Sequence, residues 1–272
     1  MISNLHAIIL GAVQGLTEFL PISSTGHLVL IPYFFGWPYQ GFSFDVALHA
    51  GTAVALLVYF AKDWLIIIRN GFTKKSVLPS DVSWPYPRNF FWQIVVASIP
   101  AALIGLPLDK YAENFRSPIL IAFNLAVFGW LLWLADKKAK TNLTPATLTY
   151  GRAFIVGLFQ SIALIPGVSR SGITLTGSRL IGLGREEAAR FSFLLATPAI
   201  VGAFLLELPK IIHDDFNLSF WLGVITAAVF GLLAIKFLLG YLKKNNFALF
   251  FGYRLVLAAV IIIFYFWQAG MK

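Results

Sequence analysis

Long apolar stretches recur along almost the whole chain, and six of them are long enough to cross a lipid bilayer. A spanning helix needs about 20 mostly apolar residues. The stretches that meet this requirement are 44–62, 90–108, 117–135, 189–208, 219–239 and 250–268. Because lipid cannot satisfy an exposed backbone, such stretches must fold as helices. The chain is therefore predicted to be an all-α polytopic membrane protein with a single membrane domain over residues 1–272.

The composition supports this class and excludes others. Hydrophobic residues make up 58% of the 272 residues and charged residues only 12%, whereas soluble domains average about 45–50% and about 25%. The absence of cysteine excludes a disulfide scaffold and any cysteine-ligated metal centre. The net charge of +9 fits basic cytoplasmic loops. No basic run with interleaved aromatic residues stands apart from the spans, so no nucleic-acid partner is expected.

Two further apolar stretches, 5–35 and 153–182, are interrupted in the middle by polar and helix-breaking residues. Residues 21–27 read PISSTGH, and residues 166–172 read PGVSRSG. Proline and glycine break the helical hydrogen-bond ladder, and irregular backbone at membrane depth survives only where it is buried in protein or lines a wet cavity. We therefore predict that both stretches form re-entrant helix–loop–helix hairpins.

The chain also repeats itself at an offset of 146 residues. Identical residues at this offset include Gly11/Gly157, Gln14/Gln160, Ser23/Ser169, Gly26/Gly172, Gly36/Gly182, Leu48/Leu194 and Ala50/Ala196, and Thr25 aligns with Ser171. The repeats are predicted to cover 1–135 and 150–272, each with one hairpin and three spans. A re-entrant hairpin does not change sides and three spans do, so the second repeat is expected to be inverted.

The distribution of basic residues predicts the orientation. Most of the 21 Lys and Arg residues fall on the side opposite to the N-terminus, and the N-terminal side holds only Lys110, Arg116, Lys210 and Lys272. Cytoplasmic loops are enriched in Lys and Arg. Both termini and the mouth of the first hairpin are therefore expected to face the outside, while the second hairpin enters from the cytoplasm.

Ionisable groups inside the hairpins are the main functional candidates, because such groups are costly in a membrane and usually functional. Glu18 and His27 lie in the first hairpin and Arg170 in the second. Asp45 and His49 form a further group near the outer end of a span. Their i, i+4 spacing is equally compatible with a structural ion pair and with a role at the site.

Together the two motifs carry groups suited to phosphoryl transfer. A guanidinium with hydroxyls and free helix N–H groups cradles phosphate, a carboxylate with amide and hydroxyl oxygens suits Mg²⁺ or Ca²⁺, and serine beside histidine is a nucleophile–base pair. Each group also has a structural interpretation. The hydroxyls can bond backbone carbonyls, Glu18 can couple protons, Arg170 can neutralise Glu18, and His27 can bond another loop.

At these residues the sequence resembles the bacterial undecaprenyl-diphosphate phosphatase family of the bacitracin-resistance type. Its first motif is an acid or Gln, three residues, Glu, and then Pro-x-Ser-Ser-Thr-Gly-His, matched here by Gln14, Glu18 and residues 21–27. Its second motif, Pro-Gly-x-Ser-Arg-Ser-Gly, is matched by residues 166–172, and the likeness runs the full chain. Gln14 is the less acidic family option, and His49 stands where some members carry Gln.

The resemblance implies an enzyme that hydrolyses undecaprenyl diphosphate to undecaprenyl phosphate and inorganic phosphate. This reaction recycles the lipid carrier for cell-wall synthesis and confers bacitracin resistance. A divalent cation (Mg²⁺ or Ca²⁺), a place in the bacterial inner membrane and a site open to the outside are implied as well. The partners are then the lipid substrate and membrane lipids, with a homodimer left open. The competing class is a transporter or flippase of prenyl phosphate, since inverted repeats are a transporter architecture.

Within this resemblance, Glu18, Ser24, His27 and Arg170 are the expected catalytic residues. Arg170 clamps the diphosphate, Ser24 attacks it, and His27 acts as base and then as acid. Attack by His27 itself or by a metal-bound water stays open. Glu18 is expected to hold the metal with Gln14 as a neutral neighbour, and Asp45 and His49 to support the outer mouth. The other expected phosphate-binding residues are Ser23, Thr25, Gly26, Ser169, Ser171, Gly172 and Thr174.

Overall fold

A computed structural model describes residues 3–73, 86–108, 117–211 and 217–270. Within these ranges the chain is all-helical, as predicted, with a single 3₁₀ turn at Pro145–Thr147 and no β-structure beyond one isolated bridge between Leu143 and Leu183. The α-helices are α1 (Asn4–Phe19), α2 (Ser24–Phe35), α3 (Phe42–Tyr59), α4 (Ala61–Phe72), α5 (Phe90–Leu108), α6 (Pro118–Lys138), α7 (Tyr150–Ile162), α8 (Arg170–Leu180), α9 (Arg185–Ile211), α10 (Leu218–Leu242) and α11 (Ala248–Gly270).

Four of the described helices, α6, α9, α10 and α11, are long and apolar enough to cross a membrane by length and composition. They coincide with the predicted spans 117–135, 189–208, 219–239 and 250–268. Helix α5 has the bounds predicted for the span 90–108, although its apolar segment Phe90–Gly105 is shorter than a full span by the same criterion. The chain is therefore a multi-pass membrane protein.

The predicted span 44–62 differs from the structure at its C-terminal end. Helix α3 stops at Tyr59, and α4 continues from Ala61 at an angle of 71°. The 18 residues of α3 already extend about 27 Å, close to the thickness of the hydrocarbon layer. The bend coincides with the charged residues Lys62, Asp63 and Arg69, which would be costly inside a lipid layer. Counted as one bent span, this pair gives five candidate spans among the described residues.

Both interrupted stretches break where the motifs predicted. Helices α1 and α2 are separated by the turn Leu20–Ser23, and α7 and α8 by residues 163–169. These helices have 16, 12, 13 and 11 residues, so they extend only about 16–24 Å and fall short of the ~30 Å hydrocarbon core. Within each pair the two helices contact each other. The first turn is buried from Pro21 to Ser23, whereas in the second turn residues 167–169 are buried and Leu164 and Ile165 are exposed.

Each hairpin packs mainly against a helix from the other half of the chain. Helix α1 lies along α10, and α7 lies along α5. The repeat-matched glycines Gly11 and Gly157 sit at these crossings. A Cβ at Gly11 would collide with the carbonyl oxygen of Gly223, and one at Gly157 with that of Ala97. The missing side chains let the backbones touch, which fixes each hairpin against the opposite half and brings the two turns together.

Candidate active site

The two turns end in the same unusual backbone conformation. Ser23 has φ 75° and Ser169 has φ 74°, and no other non-glycine residue in the described ranges has a positive φ. Such a conformation costs about 1–3 kcal/mol and clusters at functional sites. Ser23 Oγ accepts from the N–H of Gly26 at 3.3 Å, and Ser169 Oγ accepts from the N–H of Gly172 at 3.2 Å. Ser23 and Ser169, predicted to bind phosphate, therefore cap α2 and α8 in this structure.

Glu18 is the centre of the site. Its side chain, near the end of α1, is buried, and both carboxylate oxygens are occupied. Oε1 accepts from Arg170 Nη2 at 2.6 Å, which joins the two hairpins. Oε2 accepts from Ser24 Oγ at 2.5 Å and from Gln14 Nε2 at 3.1 Å. Four of the predicted site residues are thus brought into one hydrogen-bonded group.

His49 joins this group from α3. Its Nδ1 lies 2.7 Å from the Asp45 carbonyl oxygen, which can only accept, so Nδ1 carries the hydrogen. The other ring nitrogen, Nε2, is 3.7 Å from Glu18 Oε2. The Asp45 carboxylate accepts from the hydroxyl of Tyr39 at 2.9 Å. His49 therefore lies beside the Glu18 carboxylate. Its hydrogen bond to Asp45 involves the backbone of Asp45 and not its side chain.

His27 has different partners from those predicted. Its Nδ1 donates to the carbonyl oxygen of Ser23 at 2.7 Å, and its Nε2 lies 2.7 Å from the hydroxyl of Tyr253 on α11. Because Nδ1 must donate, Nε2 of the neutral ring accepts from the tyrosine. The hydroxyl of Ser24 bonds Glu18 instead. The prediction that His27 is the base for Ser24 therefore does not match these hydrogen bonds, which assign Ser24 to Glu18.

Of the other predicted phosphate ligands, Ser171 and Thr25 lie next to the turns, and Thr174 lies in the protein core. Ser171 Oγ donates to the carbonyl oxygen of Leu20 at 3.0 Å, a second bond between the hairpins. Thr25 is exposed in the first turn of α2, with its Oγ1 3.4 Å from Ser23 Oγ. Both hydroxyls stand at the starts of helices.

Thr174 is placed differently. Its side chain is fully buried, and its hydroxyl donates to the Arg170 carbonyl oxygen at 2.8 Å and shares a 2.5 Å hydrogen bond with Ser192 of α9. Thr174 thus joins α8 to α9, a role that the motif alone could not reveal.

The donor set near Glu18 can be tested against a divalent cation. Among the described residues no three His, Cys, Asp or Glu side chains form a metal cluster. Gln14 Oε1, however, is buried without a hydrogen-bond partner and belongs to the residue that bonds Glu18. Mg²⁺ is often held by one or two protein oxygens together with substrate phosphates. The residues therefore fit a cation whose remaining ligands are phosphate oxygens and water.

Sequence reasoning missed two adjacent residues of α11. Tyr253 bonds His27, and Arg254 is completely buried with its guanidinium bonded to the backbone of both turns. A signal was present, because an arginine inside the predicted span 250–268 is an intramembrane charge. Arg254 lies within α11 and not in a loop, so the charge pattern of the loops carries no sign of it.

Comparison with known proteins gives one consistent result. The sequence model of the family described as "Bacitracin resistance protein BacA" matches residues 7–260. The undecaprenyl-diphosphatase of Moorella thermoacetica is 48% identical over 263 residues, covering 95% of this chain and 96% of that protein. The undecaprenyl-diphosphatase of Caldicellulosiruptor bescii is 45% identical over 272 residues, covering 98% and 99%. The undecaprenyl-diphosphatase of Pelotomaculum thermopropionicum is 45% identical over 259 residues, covering 95% of each.

Proposed function

The chain belongs to the bacitracin resistance protein BacA family, and from this premise we propose that it is a membrane undecaprenyl-diphosphatase. It hydrolyses undecaprenyl diphosphate to undecaprenyl phosphate and inorganic phosphate, which recycles the lipid carrier for cell-wall synthesis and confers bacitracin resistance. The observation that carries the mechanism is the carboxylate of Glu18, which bonds Ser24 of its own hairpin and Arg170 of the other. The Glu18 carboxylate, a proton acceptor, thus lies between a hydroxyl and a guanidinium that can bind an anion.

Arg170 is the residue that holds the substrate. Its guanidinium fits phosphoryl oxygens bidentately, and it lies at the start of α8, where helix N–H groups also favour an anion. In the substrate-free site Glu18 supplies the anion that Arg170 requires. The terminal phosphate takes over this contact when the diphosphate binds, which leaves Glu18 free to act on Ser24.

Ser24 is the nucleophile. Its Oγ attacks the terminal phosphorus, the bond from that phosphorus to the bridging oxygen breaks, and undecaprenyl phosphate leaves while Glu18 accepts the hydroxyl proton. Water then attacks the phosphoserine, the Oγ–phosphorus bond breaks, both protons of the water leave with the released phosphate, and Ser24 recovers its proton from Glu18. The second version is direct attack by water with Glu18 as base. His27 has both ring nitrogens engaged, so its role is to hold the first turn.

The cation, Mg²⁺ or Ca²⁺, is assigned to Gln14 and Glu18. When bound it neutralises charge on the diphosphate. Gln14 offers its unpartnered buried Oε1, and Glu18 offers a carboxylate oxygen once Arg170 has moved to the substrate. Replacing Gln14 with Glu adds a carboxylate and is expected to lower the Mg²⁺ concentration for half-maximal activity. If Gln14→Glu and Gln14→Leu both require the same Mg²⁺ concentration as wild type, the cation does not bind at Gln14.

The architecture behind this site is proposed to be six spans and two re-entrant hairpins in inverted repeats, with the termini and the mouth outside. Two observations support it. The hairpin helices are short, and α1 and α7 each pack against a helix from the opposite half of the chain. The chain has no cysteine, so single cysteines report cleanly. Gln40→Cys should react with an impermeant maleimide on intact cells, and Asn245→Cys only after permeabilisation. The reverse labelling pattern would show that the protein has the opposite orientation in the membrane.

The proposed activity is tested by phosphate release from undecaprenyl diphosphate with purified protein in detergent. Wild type and Glu18→Gln are compared with and without Mg²⁺ or Ca²⁺. The amide cannot accept the Ser24 proton, so turnover should fall about 100-fold or more. Ser98→Ala on α5 is the control, because that hydroxyl bonds only a carbonyl four residues earlier and should leave turnover unchanged. No release from folded wild type would favour transport, tested by prenyl-phosphate flipping in liposomes.

A further inference from the structure

The side chain of Arg254 on α11 is completely buried and makes hydrogen bonds only to backbone carbonyl groups within the described structure. Burying a guanidinium is costly unless its donors are satisfied. An apolar residue could fill the same volume at lower cost. The arrangement therefore points to a role in which the geometry of the guanidinium matters.

The acceptors belong to three separate segments. In the first turn, Nη1 lies 3.4 Å from the carbonyl oxygen of Pro21. In the second turn, Nη2 lies 3.0 Å from the carbonyl oxygens of both Gly167 and Val168. On α6, Nε lies 2.9 Å from the carbonyl oxygen of Leu125, and Nη2 lies 3.2 Å from that of Asn124. One planar group thus connects both turns to a spanning helix.

Glycines make the space for this side chain. A Cβ at Gly172, in the first turn of α8, would lie 3.0 Å from Nη1 of Arg254, and one at Gly129 on α6 would lie 3.2 Å from its Nε. Asn124 adds a further tie, because its Nδ2 donates to the carbonyl oxygen of Pro166 at 2.8 Å. The second turn is therefore held against α6 and α11 by two side chains at once.

The charge of Arg254 is not used in an ion pair within the described part of the chain. The arginines that do pair with carboxylates there are Arg170, Arg179, Arg185 and Arg190. The neighbouring Tyr253 bonds His27 of the first hairpin. Consecutive residues of α11 thus hold a side chain at the start of α2 and the backbones of both turns.

We propose that Arg254 is a positioning residue that fixes the separation of the two turns, so that Arg170 on one reaches the same phosphate as Ser24 on the other. The inference rests on the proposed function and deepens it. Arg254 touches no reacting group in this mechanism. A small shift in the separation of reacting groups can cost about 100-fold in rate, so turnover is the quantity that its loss should affect.

Arg254→Lys is the first test. An ammonium directs all its donors from one atom and cannot reach acceptors on three segments. Steady-state kinetics on folded protein should show kcat at least about tenfold lower and KM within about threefold of wild type. Arg179→Lys is the matched control, since Arg179 is also buried but pairs with Asp136 at the far end of α8, and it should keep kcat within about threefold. Wild-type kcat in Arg254→Lys would overturn the proposal.

The second test does not depend on hydrolysis. Single cysteines replace the buried Ile22 in the first turn, Val168 in the second, or Ala188 on α9 as control. In the Arg254→Lys background, methanethiosulfonate should modify both turn cysteines about tenfold faster, while the rate at position 188 stays within about twofold. Unchanged turn rates, or equal increases at all three positions, would overturn the proposal. Failure of wild type to release phosphate would instead reject the proposed function, and the labelling result would still decide the role of Arg254.

Discussion

The turn after α1 and the turn before α8 can be compared residue by residue at the offset of 146. Ser23 and Ser169 have φ values of 75° and 74° and ψ values of 95° and 113°. Each caps the following helix through the N–H three residues later. In each turn the serine hydroxyl also lies near the hydroxyl two residues later, at 3.4 Å from Thr25 and at 3.2 Å from Ser171. The backbone at the start of the second helix is thus nearly the same in both hairpins, although the second turn, residues 163–169, is longer than the first, Leu20–Ser23.

The side chains have separated into complementary sets. Where the first hairpin has Glu18, Ser24 and His27, the second has Leu164, Arg170 and Ile173. In the proposed mechanism the first hairpin therefore carries the proton acceptor and the hydroxyl, and the second carries the guanidinium. Two helix starts with the same cap and the same backbone conformation therefore carry different side chains. Neither turn alone has a complete site.

Arg170→Ser makes the second turn resemble the first and should have the largest effect. The phosphate clamp disappears, and Glu18 is left buried without its cation. We expect kcat/KM for phosphate release to fall about 1,000-fold or more. Arg170→Lys keeps the charge but loses bidentate geometry, so it should recover part of the loss. Activity near wild type in Arg170→Ser would show that the difference between the turns has no catalytic meaning.

Ser24→Ala separates the two versions of the mechanism and should have the next largest effect. Loss of the nucleophile should lower kcat about 100–1,000-fold, whereas attack by water would leave a much smaller defect. Ser161→Ala is the matched control, because both serines are 8% exposed and Ser161 Oγ bonds only the carbonyl oxygen of Gly157. Rapid-quench trapping of phosphoserine in wild type, absent in Ser24→Ala, would sharpen the assignment.

His27→Ile places the aligned residue of the second turn in the first. The ring no longer ties the Ser23 carbonyl to Tyr253, so the turn should loosen and kcat should fall about 10–100-fold. Tyr253→Phe removes one of these two bonds and should give a smaller decrease in the same assay. An equal, complete loss of activity in His27→Ile and Ser24→Ala would instead return His27 to the reacting groups.

The smallest effects should come from the shared feature, the helix caps. Ser23→Ala and Ser169→Ala each remove a cap and keep an unfavourable positive φ, so each should lower the free energy of unfolding by about 1–2 kcal/mol. Glycine at either position relieves the backbone and should cost less. Thermal unfolding in detergent measures the difference. Unequal losses at the two positions would show that the turns are less alike than their backbones.

The sequence predicted features that depend on local chemistry. The breaks near Pro21 and Gly167 and the spans over α6, α9, α10 and α11 follow from backbone sterics and from apolar length. The bend at Phe60 escaped prediction because a run of apolar residues does not indicate where a helix bends. The partners of His27 escaped because Tyr253 lies 226 residues away. Contacts of that kind depend on how α11 packs, which no local pattern encodes.

The ion pair between Glu18 and Arg170 also bears on the release of product. A carboxylate tethered at 2.6 Å from the guanidinium competes with every arriving anion at an effective concentration in the millimolar range or above. Weakly bound monovalent anions are therefore kept off Arg170, while a multiply charged diphosphate displaces the tether. In the proposed mechanism the carboxylate returns after hydrolysis and is expected to help expel inorganic phosphate. If the proposed mechanism holds, the contact between the two hairpins is thus also a built-in competitor, which should favour turnover over product inhibition.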